Sequence, residues 1–584
     1  MVKTDIISKV RSIKGKFVDE KGYLSKTVQI ERVAKYANEI DMVLTKYNKK
    51  SCDETMMVKG ARKSCGETTN RKIHAEDLEK TVAQIAKGLG LNEAVVKIMG
   101  KHHDKGHTFW GHGGEWWISN ILEDYGIGNF CHNTLGAREL IYTDKVYDEI
   151  IEKIKVHNPK VKPKELAKIR SSLWLIMDAI NGHNGETPDK EFIPQSTKTE
   201  KRFANEILKC YVVRGYDRKL MPATPEACLM RLADKISYTP LDMIDGLREG
   251  LMRDEDGKVV DYLDHDYEVV LLKIGITKEE FDTANAKKDY TKLAERIREI
   301  FINDVIKNST KRKIKMSKEM TVLMGELLNL NNAKAVDNVM LVEDQETYPP
   351  AVRELMVICK DIIMENGILP RLPNANEDMK INEELEQYRG TPYEGFINYI
   401  CNTNPEDYAL TVRIVDEATM QSTKDELTIA RECVQNRSAY EDKEELGYDY
   451  SMKNARIRKY ITYYESQLEE GKLVGYNEKS LEREASRVVE NIKKGKHNEN
   501  YLPYEERIAM MISANYISSL NDMEFMKLIQ DTEIINDEQY KSLTRKYKDI
   551  PDLKAEVYDQ KNWKEISTMQ KEATERHKKE DAQK

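Results

Sequence analysis

Only eight of the 584 residues are cysteine, at positions 52, 65, 131, 210, 228, 359, 401 and 433, and no two form a CxxC pair. Disulfide frameworks and zinc ribbons need close, repeated pairs, so the thiols are expected to be reduced and mostly packed. Cys52 and Cys65 flank a polar segment but lack the second close pair that a metal knuckle requires. No stretch approaches the ~18 apolar residues of a membrane span, and the N-terminal MVKTDIISKVRSIKGKF has no apolar centre of signal-peptide length. A membrane partner is not expected, and the chain reads as cytoplasmic. Charge is also nearly balanced: the net value of -8 does not call for a nucleic-acid partner. Missing too are a GxxxxGK[ST] phosphate loop, an HExxH zinc motif and a repeat of solenoid period, while the isolated GIG at 126 to 128 is too short for a dinucleotide fold.

Alternating runs of Val, Ile and Thr are few, whereas apolar residues spaced three and four apart in a Glu/Lys-rich background are common, so the chain is expected to be mainly α. Leu78, Val82, Ile85 and Leu89 form one helical stripe ended by Gly90, and Asn92 can cap the next helix through Val95, Val96 and Met99. Thr224-Pro225 opens a third helix that runs through LMRLADKISY. Residues 43 to 72 read as polar and irregular, NPKVKP at 158 to 163 as a turn, and ETYPPAV around Pro349-Pro350 as a linker. These signals divide the chain into an N-terminal segment (1–60), a helical core (61–345), a helical continuation (346–440) and a C-terminal helical accessory region (441–584) whose last residues, KEATERHKKEDAQK, look solvated.

Eight of the eleven histidines lie between 74 and 183, beside acidic and glycine residues. The pattern is Arg71-x-x-His74, then His103-Asp104-x-Gly106-His107-x-x-x-Gly111-His112-x-x-Glu115, then His132-Asn133, and much later Asp234-Lys235-x-x-Tyr238-x-x-x-Asp242. Imidazole and carboxylate together suit a divalent ion such as Mn, Fe, Zn or Co, and tolerate Mg when oxygen ligands dominate. Arg71 and His74, three apart on a helix, face the same way, and positions 234, 238 and 242 share one stripe of another. The competing reading is that Tyr238 and Asp242 merely continue an amphipathic helix. His102 is expected beside the site rather than in it, and His183, in the glycine-flanked NGHNGE, can be either a pocket or a surface residue.

The segment from RKIHAEDLEK to KHHDKGHTFWGHGGE resembles the HD domain of the deoxynucleoside triphosphate triphosphohydrolases, the dGTPase family, and ADKISYTPLDMIDGL resembles that family's downstream Asp helix. The resemblance covers about residues 70 to 250 and implies an HD-domain helical core. It implies His74, His103, Asp104 and Asp234 as metal ligands, Arg71, His107 and Lys235 on phosphate oxygens, Tyr238 against the deoxyribose and Asp242 on the 3′-hydroxyl. His112, Glu115 and His132 would then serve catalysis, His112 and Glu115 as a pair. Lys105 and Phe109-Trp110 depart from the family's usual residues, and the arginine-rich segment that normally precedes Arg71 is not recognisable.

The expected activity is therefore metal-dependent hydrolysis of a dNTP, dGTP-like, to a deoxynucleoside and inorganic triphosphate. The alternatives are an HD phosphohydrolase acting on a monophosphate, cyclic nucleotide or alarmone, and a non-catalytic nucleotide-binding or nucleic-acid-binding regulator. A homo-oligomer and an allosteric dNTP are further expected partners. The basic run Lys311-Arg312-Lys313 with Lys315 reads as a solvated helix face, with contact to an allosteric phosphate or single-stranded nucleic acid as its alternative.

Overall fold

The computed structural model describes residues 26–47, 69–141, 144–170, 172–183, 211, 224–254, 258–310, 313–336, 342–369, 383–403, 405–435, 452–472, 478–496 and 502–550. Among them the secondary structure is helical, with two isolated β-bridges, Arg253 to Val259 and Thr310 to Lys313. No helix among the described residues is long and apolar enough to cross a membrane.

The N-terminal helices are α1 (Lys26–Lys35) and α2 (Ala37–Lys46), followed by α3 (Arg71–Leu89) and α4 (Glu93–His102). The second of this pair begins as its sequence predicts, with Asn92 accepting the Val95 N–H at 3.2 Å, and the first is capped in the same way by Asn70, which accepts the Ile73 N–H at 2.9 Å. Gly90 closes α3 with φ 64°, a left-handed conformation that a Cβ disfavours. Leu78, Val82 and Ile85 are fully buried against α4, each contributing on the order of 1.5–3 kcal/mol of apolar burial. Next come α5 (His112–Asp124), α6 (His132–Ile141), α7 (Asp144–His157), α8 (Pro163–Arg170) and α9 (Trp174–Gly182). The turn expected at NPKVKP separates α7 from α8. Helix α10 (Pro225–Arg248) is capped by Thr224, whose hydroxyl accepts the Ala227 N–H at 3.2 Å, and it packs on α3, α4 and α9.

Beyond α10 lie α11 (His265–Ile274), α12 (Lys278–Lys287), α13 (Thr291–Asn308), α14 (Lys318–Asn331), α15 (Val342–Glu365), α16 (Glu394–Cys401), α17 (Pro405–Gln435), α18 (Met452–Glu469), α19 (Glu478–Lys493), α20 (Tyr504–Ile517), α21 (Asp522–Asp531) and α22 (Asp537–Thr544). One hydrophobic core runs from Ile30 to Ile550, so α20 and α21 share it with α3, α4 and α5. Leu427, Ala430, Val434, Tyr460, Tyr464 and Ala485 form a second, smaller core where α17, α18 and α19 meet.

Three local expectations are corrected. Pro349 and Pro350 lie inside α15 rather than in a linker. Tyr348, Val352, Leu355, Met356 and Cys359 are fully buried there, and this packing outweighs the two missing backbone donors. The irregular stretch is shorter than 43 to 72, because residues 43 to 46 end α2 and residues 71 and 72 begin α3. Lys313 and Lys315 are not on a helix face: Ser309 ends α13, its hydroxyl accepts the Lys315 N–H at 2.9 Å, and the intervening Ile314 is fully buried. Lys311, Arg312, Cys52, Cys65, Cys210 and the KEATERHKKEDAQK end lie outside the described residues. Cys131, Cys228 and Cys359 are buried, as expected of packed thiols.

Candidate active site

Helices α3, α4 and α10 converge on one point. Arg71 and His74 occupy the buried side of the first turn of α3, His103 and Asp104 follow the end of α4, and Asp234 comes from α10. Nε2 of His74 lies 3.0 Å from Oδ1 of Asp234 and 3.2 Å from Nε2 of His103. Nε2 of His103 is 3.2 Å from Oδ1 of Asp104 and 3.5 Å from Oδ1 of Asp234, while His74 stands 3.8 Å from Oδ2 of Asp104. Donor atoms about 2.1 Å from a shared ion in tetrahedral or octahedral geometry are separated by about 3.0–3.4 Å, so this spacing suits one divalent cation.

The surrounding hydrogen bonds favour that use. Nδ1 of His103 lies 2.8 Å from the Gly100 carbonyl oxygen, which accepts its proton and turns Nε2 to the carboxylates. Burial alone would push His103 down, but Asp104 and Asp234 push it up to about 10. Both carboxyls stay well below their ordinary range: burial opposes their charge, and His103 with Arg71 overcomes it at Asp104, His103 with His74 at Asp234. The cluster thus favours a positive charge at its centre, and a His/Asp donor set of this kind fits a divalent metal.

A second group sits on the loop after Asp104 and at the starts of α5 and α6. Gly106 is required there, since a Cβ would stand 1.8 Å from the His132 carbonyl oxygen. His107 Nε2 lies 3.5 Å from Oδ1 of Asp104, and its ring stacks on His132 with centroids 3.8 Å apart. Glu115 Oε2 stands 2.9 Å from His132 Nδ1 and 3.1 Å from His112 Nδ1, while its Oε1 accepts the His132 backbone N–H at 3.2 Å. One carboxylate therefore orients two imidazoles by their Nδ1 atoms and leaves both Nε2 atoms for other partners. Burial pushes His132 down to about 4 against the pull of Glu115, so its ring is neutral near pH 7. Glu115 remains ionised because the neighbouring imidazoles, His132 foremost, outweigh the cost of burying its charge. The His112 side chain is 61% exposed, whereas that of His132 is 1% exposed.

Arg71 is held by its Nη1 at 2.6 Å from Oδ2 of Asp104, and a Cβ on Gly111 would stand 2.9 Å from its Nη2, so the guanidinium bridges the Asp104 carboxylate and the loop. Lys235, Tyr238 and Asp242 are half-buried along the α10 stripe that carries Asp234. Burial and then the neighbouring Asp245 push Asp242 well above the usual carboxylate range. His102 points away from the cluster to Asp41 of α2, 2.8 Å from its Oδ1, as expected of a neighbour. His183, open in the sequence, belongs to the site: it is buried, its Nδ1 lies 2.6 Å from the Ile180 carbonyl oxygen, and its Nε2 is 3.5 Å from Oδ1 of Asp104. Only its flanking glycines signalled this in the sequence. Asp104, His132 and His183, like His107, His112 and His132, also place ligand-type atoms close enough to share an ion.

No family model matches the chain. It is similar to proteins named deoxyguanosinetriphosphate triphosphohydrolase-like: 29% identical over 187 residues to that of Ruegeria sp. (strain TM1040), a match covering 32% of this chain and 40% of the relative. It is 28% identical over 191 residues to that of Rhodopseudomonas palustris (strain HaA2), and 27% identical over 191 residues to that of Bradyrhizobium diazoefficiens, each covering 32% of this chain and 42% of the relative. The chain thus spans about two fifths of the length of the curated relatives it matches.

Proposed function

From this relation to the dGTPase-like family, we propose that the chain is a metal-dependent HD-domain hydrolase that cleaves a deoxynucleoside triphosphate into a deoxynucleoside and inorganic triphosphate. The observation that carries the reading is the meeting of His74, His103, Asp104 and Asp234 within ion-sharing distance, beside the Glu115-linked imidazoles of His112 and His132. Metal-site chemistry alone fits many phosphoesters; the dGTPase-like relatives favour the triphosphate.

In this reading His74, His103, Asp104 and Asp234 hold a divalent ion. When bound, that ion polarises a phosphoryl oxygen and lowers the pKa of water, which suits attack on phosphorus. Arg71, His107 and Lys235 bind phosphate oxygens and offset the charge that grows on them during attack at the α-phosphorus. The bond from phosphorus to the sugar 5′-oxygen then breaks, and the departing alkoxide needs a proton. His112 donates it, with Glu115 fixing its tautomer, and the buried, neutral His132 lines the same face. Tyr238 packs on C2′ of the sugar, where a ribose hydroxyl would clash, and Asp242 bonds the 3′-hydroxyl.

The test is purified full-length protein, stripped of metal and then supplied with Mn or Mg, incubated with each of the four dNTPs and rNTPs. The reading expects metal-dependent release of a deoxynucleoside and triphosphate, with little turnover of rNTPs. Equal turnover of both sugars, or cleavage of monophosphates or cyclic nucleotides alone, would transfer the site to another nucleotide.

A further inference from the structure

The C-terminal helices grip the peptide that delivers His112. Helix α5 begins at His112, immediately after Phe109, Trp110 and Gly111. Trp110 has φ 55°, a left-handed conformation that a bulky side chain adopts only when its surroundings impose it. Gly111 follows at φ 52°, so two successive residues turn the chain sharply into the helix.

Trp110 packs on Trp117 and Tyr348, with centroids 5.9 and 4.9 Å away, and its backbone is held from more than four hundred residues away. The buried Asp522 carboxylate, at the start of α21, accepts the Trp110 backbone N–H at 2.7 Å. The Phe525 ring, one turn on, lies flat on Phe109, with centroids 3.8 Å apart and planes 3° from parallel. The other end of α5 is held by the same half of the chain: Arg456 donates to the Asp124 carbonyl oxygen at 2.6 Å and Arg507 to that of Gly126 at 3.0 Å. Arg456 is fixed in turn by Glu426, at 3.0 Å from Nε and 2.8 Å from Nη2, both side chains buried. The helix carrying His112 and Glu115 is thereby clamped at both ends.

Asp522 is not needed to start its own helix. Asn521 caps α21, accepting the Glu524 N–H at 2.6 Å while Glu524 accepts the Asn521 N–H at 3.0 Å. The two residues that Asp522 and Phe525 hold, Trp110 and Phe109, are, with Lys105, the residues of this loop that depart from the pattern the sequence resembles.

We infer that Asp522, supported by Phe525, is a positioning residue for His112: by accepting the Trp110 N–H it fixes the left-handed turn that aims the first residue of α5 at the reaction centre. The C-terminal region is on this account a built part of the active site. The assignment of His112 rests on the function proposed above; the grip on the loop does not.

The test compares full-length, Mn-loaded wild-type protein with Asp522→Ala, Asp522→Asn and Phe525→Leu in steady-state kinetics, metal analysis and amide hydrogen exchange of residues 108–116. Asp522→Ala should lower kcat about 10²-fold, the scale of an ångström-sized misplacement, with KM and metal content unchanged. Asp522→Asn, which still presents an acceptor oxygen to Trp110, should recover most of that loss. Phe525→Leu, which keeps apolar volume, covers the case in which the alanine variant does not fold and should show a smaller fall in kcat. Exchange in 108–116 should quicken in the alanine and leucine variants only. Unchanged kcat, unchanged exchange in 108–116, or parallel losses of KM, metal and stability that asparagine does not rescue would each overturn the inference. Should the wild-type protein fail to turn over any dNTP, the proposed function falls, and the exchange result still decides whether Asp522 holds the loop.

Discussion

Nε2 of His74 and Oδ1 of Asp234 lie 3.0 Å apart, although they reach each other from α3 and α10 with the whole histidine-rich segment between them in sequence. His103 adds a second Nε2 3.2 Å from the first, and two imidazole nitrogens beside two carboxylates suit a divalent cation between them. His103→Ala and Asp104→Ala should therefore each lose bound metal and turnover together, because a site with few protein ligands spares none. Metal analysis of gel-filtered protein checks this; a variant with full metal content and full turnover would show that the ion sits elsewhere.

Removing the metal should also loosen the fold. With its ion gone the cluster keeps two carboxylates, Asp104 and Asp234, within 3.5 Å of the same His103 Nε2, and a ligand present at about a hundred times its dissociation constant contributes roughly 2.7 kcal/mol to stability. Calorimetry should show Tm falling after chelation and recovering on addition of Mn. A Tm indifferent to both treatments would contradict a site formed by α3, α4 and α10.

At the neighbouring cluster binding and chemistry should separate. His112→Ala is expected to retain metal and dNTP affinity while losing about 10²- to 10⁴-fold in kcat, the range of general acid catalysis. Because His112 is 61% exposed, its loss should leave Tm nearly unchanged. Glu115→Gln should be at least as damaging, since Glu115 also orients His132, and the double variant should add little. Additive losses would mean that the two residues work independently.

Tyr238 carries the sugar prediction. If its ring lies against C2′, Tyr238→Ala should narrow the preference for dNTPs chiefly by accelerating rNTP turnover, measured as the ratio of kcat/KM values. An unchanged ratio would return Tyr238 to the amphipathic face of α10.

Asp245 offers a pH test outside the His/Asp cluster. Burial, offset in part by the Thr69 N–H at 3.0 Å and by Arg248, pushes its carboxyl up to about 6. A raised carboxyl stabilises the fold fully only below its unfolded value of about 3.9, and that contribution is lost as pH rises through 6. Asp245→Asn keeps the acceptor for Thr69 and removes the charge. It should raise Tm at pH 7.5, by an effect of at most about 2–3 kcal/mol, and should match wild type near pH 4. A difference that is the same at both pH values would refute the linkage.

Much of this arrangement can be read locally. Asn92, Gly90 and Thr224 mark helix ends through capping chemistry that depends on a few adjacent residues. The HHD run at the end of α4 and Asp234 on α10 are likewise visible as residue types in order. Three things are not. Pro349 and Pro350 signal a break, but the buried Tyr348, Val352 and Leu355 keep α15 continuous, and burial is a tertiary property. His183 differs from a surface histidine only in what surrounds it in space. Asp522 and Phe525 look like ordinary members of a capped amphipathic helix, and their partners, Trp110 and Phe109, are brought to them only by the complete fold.

The central claim is tested most directly by following dGTP hydrolysis in ¹⁸O-labelled water with Mn present, with both products analysed by mass spectrometry. The account predicts unlabelled deoxyguanosine and a triphosphate carrying one ¹⁸O, because water attacks the α-phosphorus and the 5′-oxygen leaves with the sugar. Release of deoxyguanosine diphosphate with labelled inorganic phosphate, or no turnover by protein with a full metal site, would contradict it.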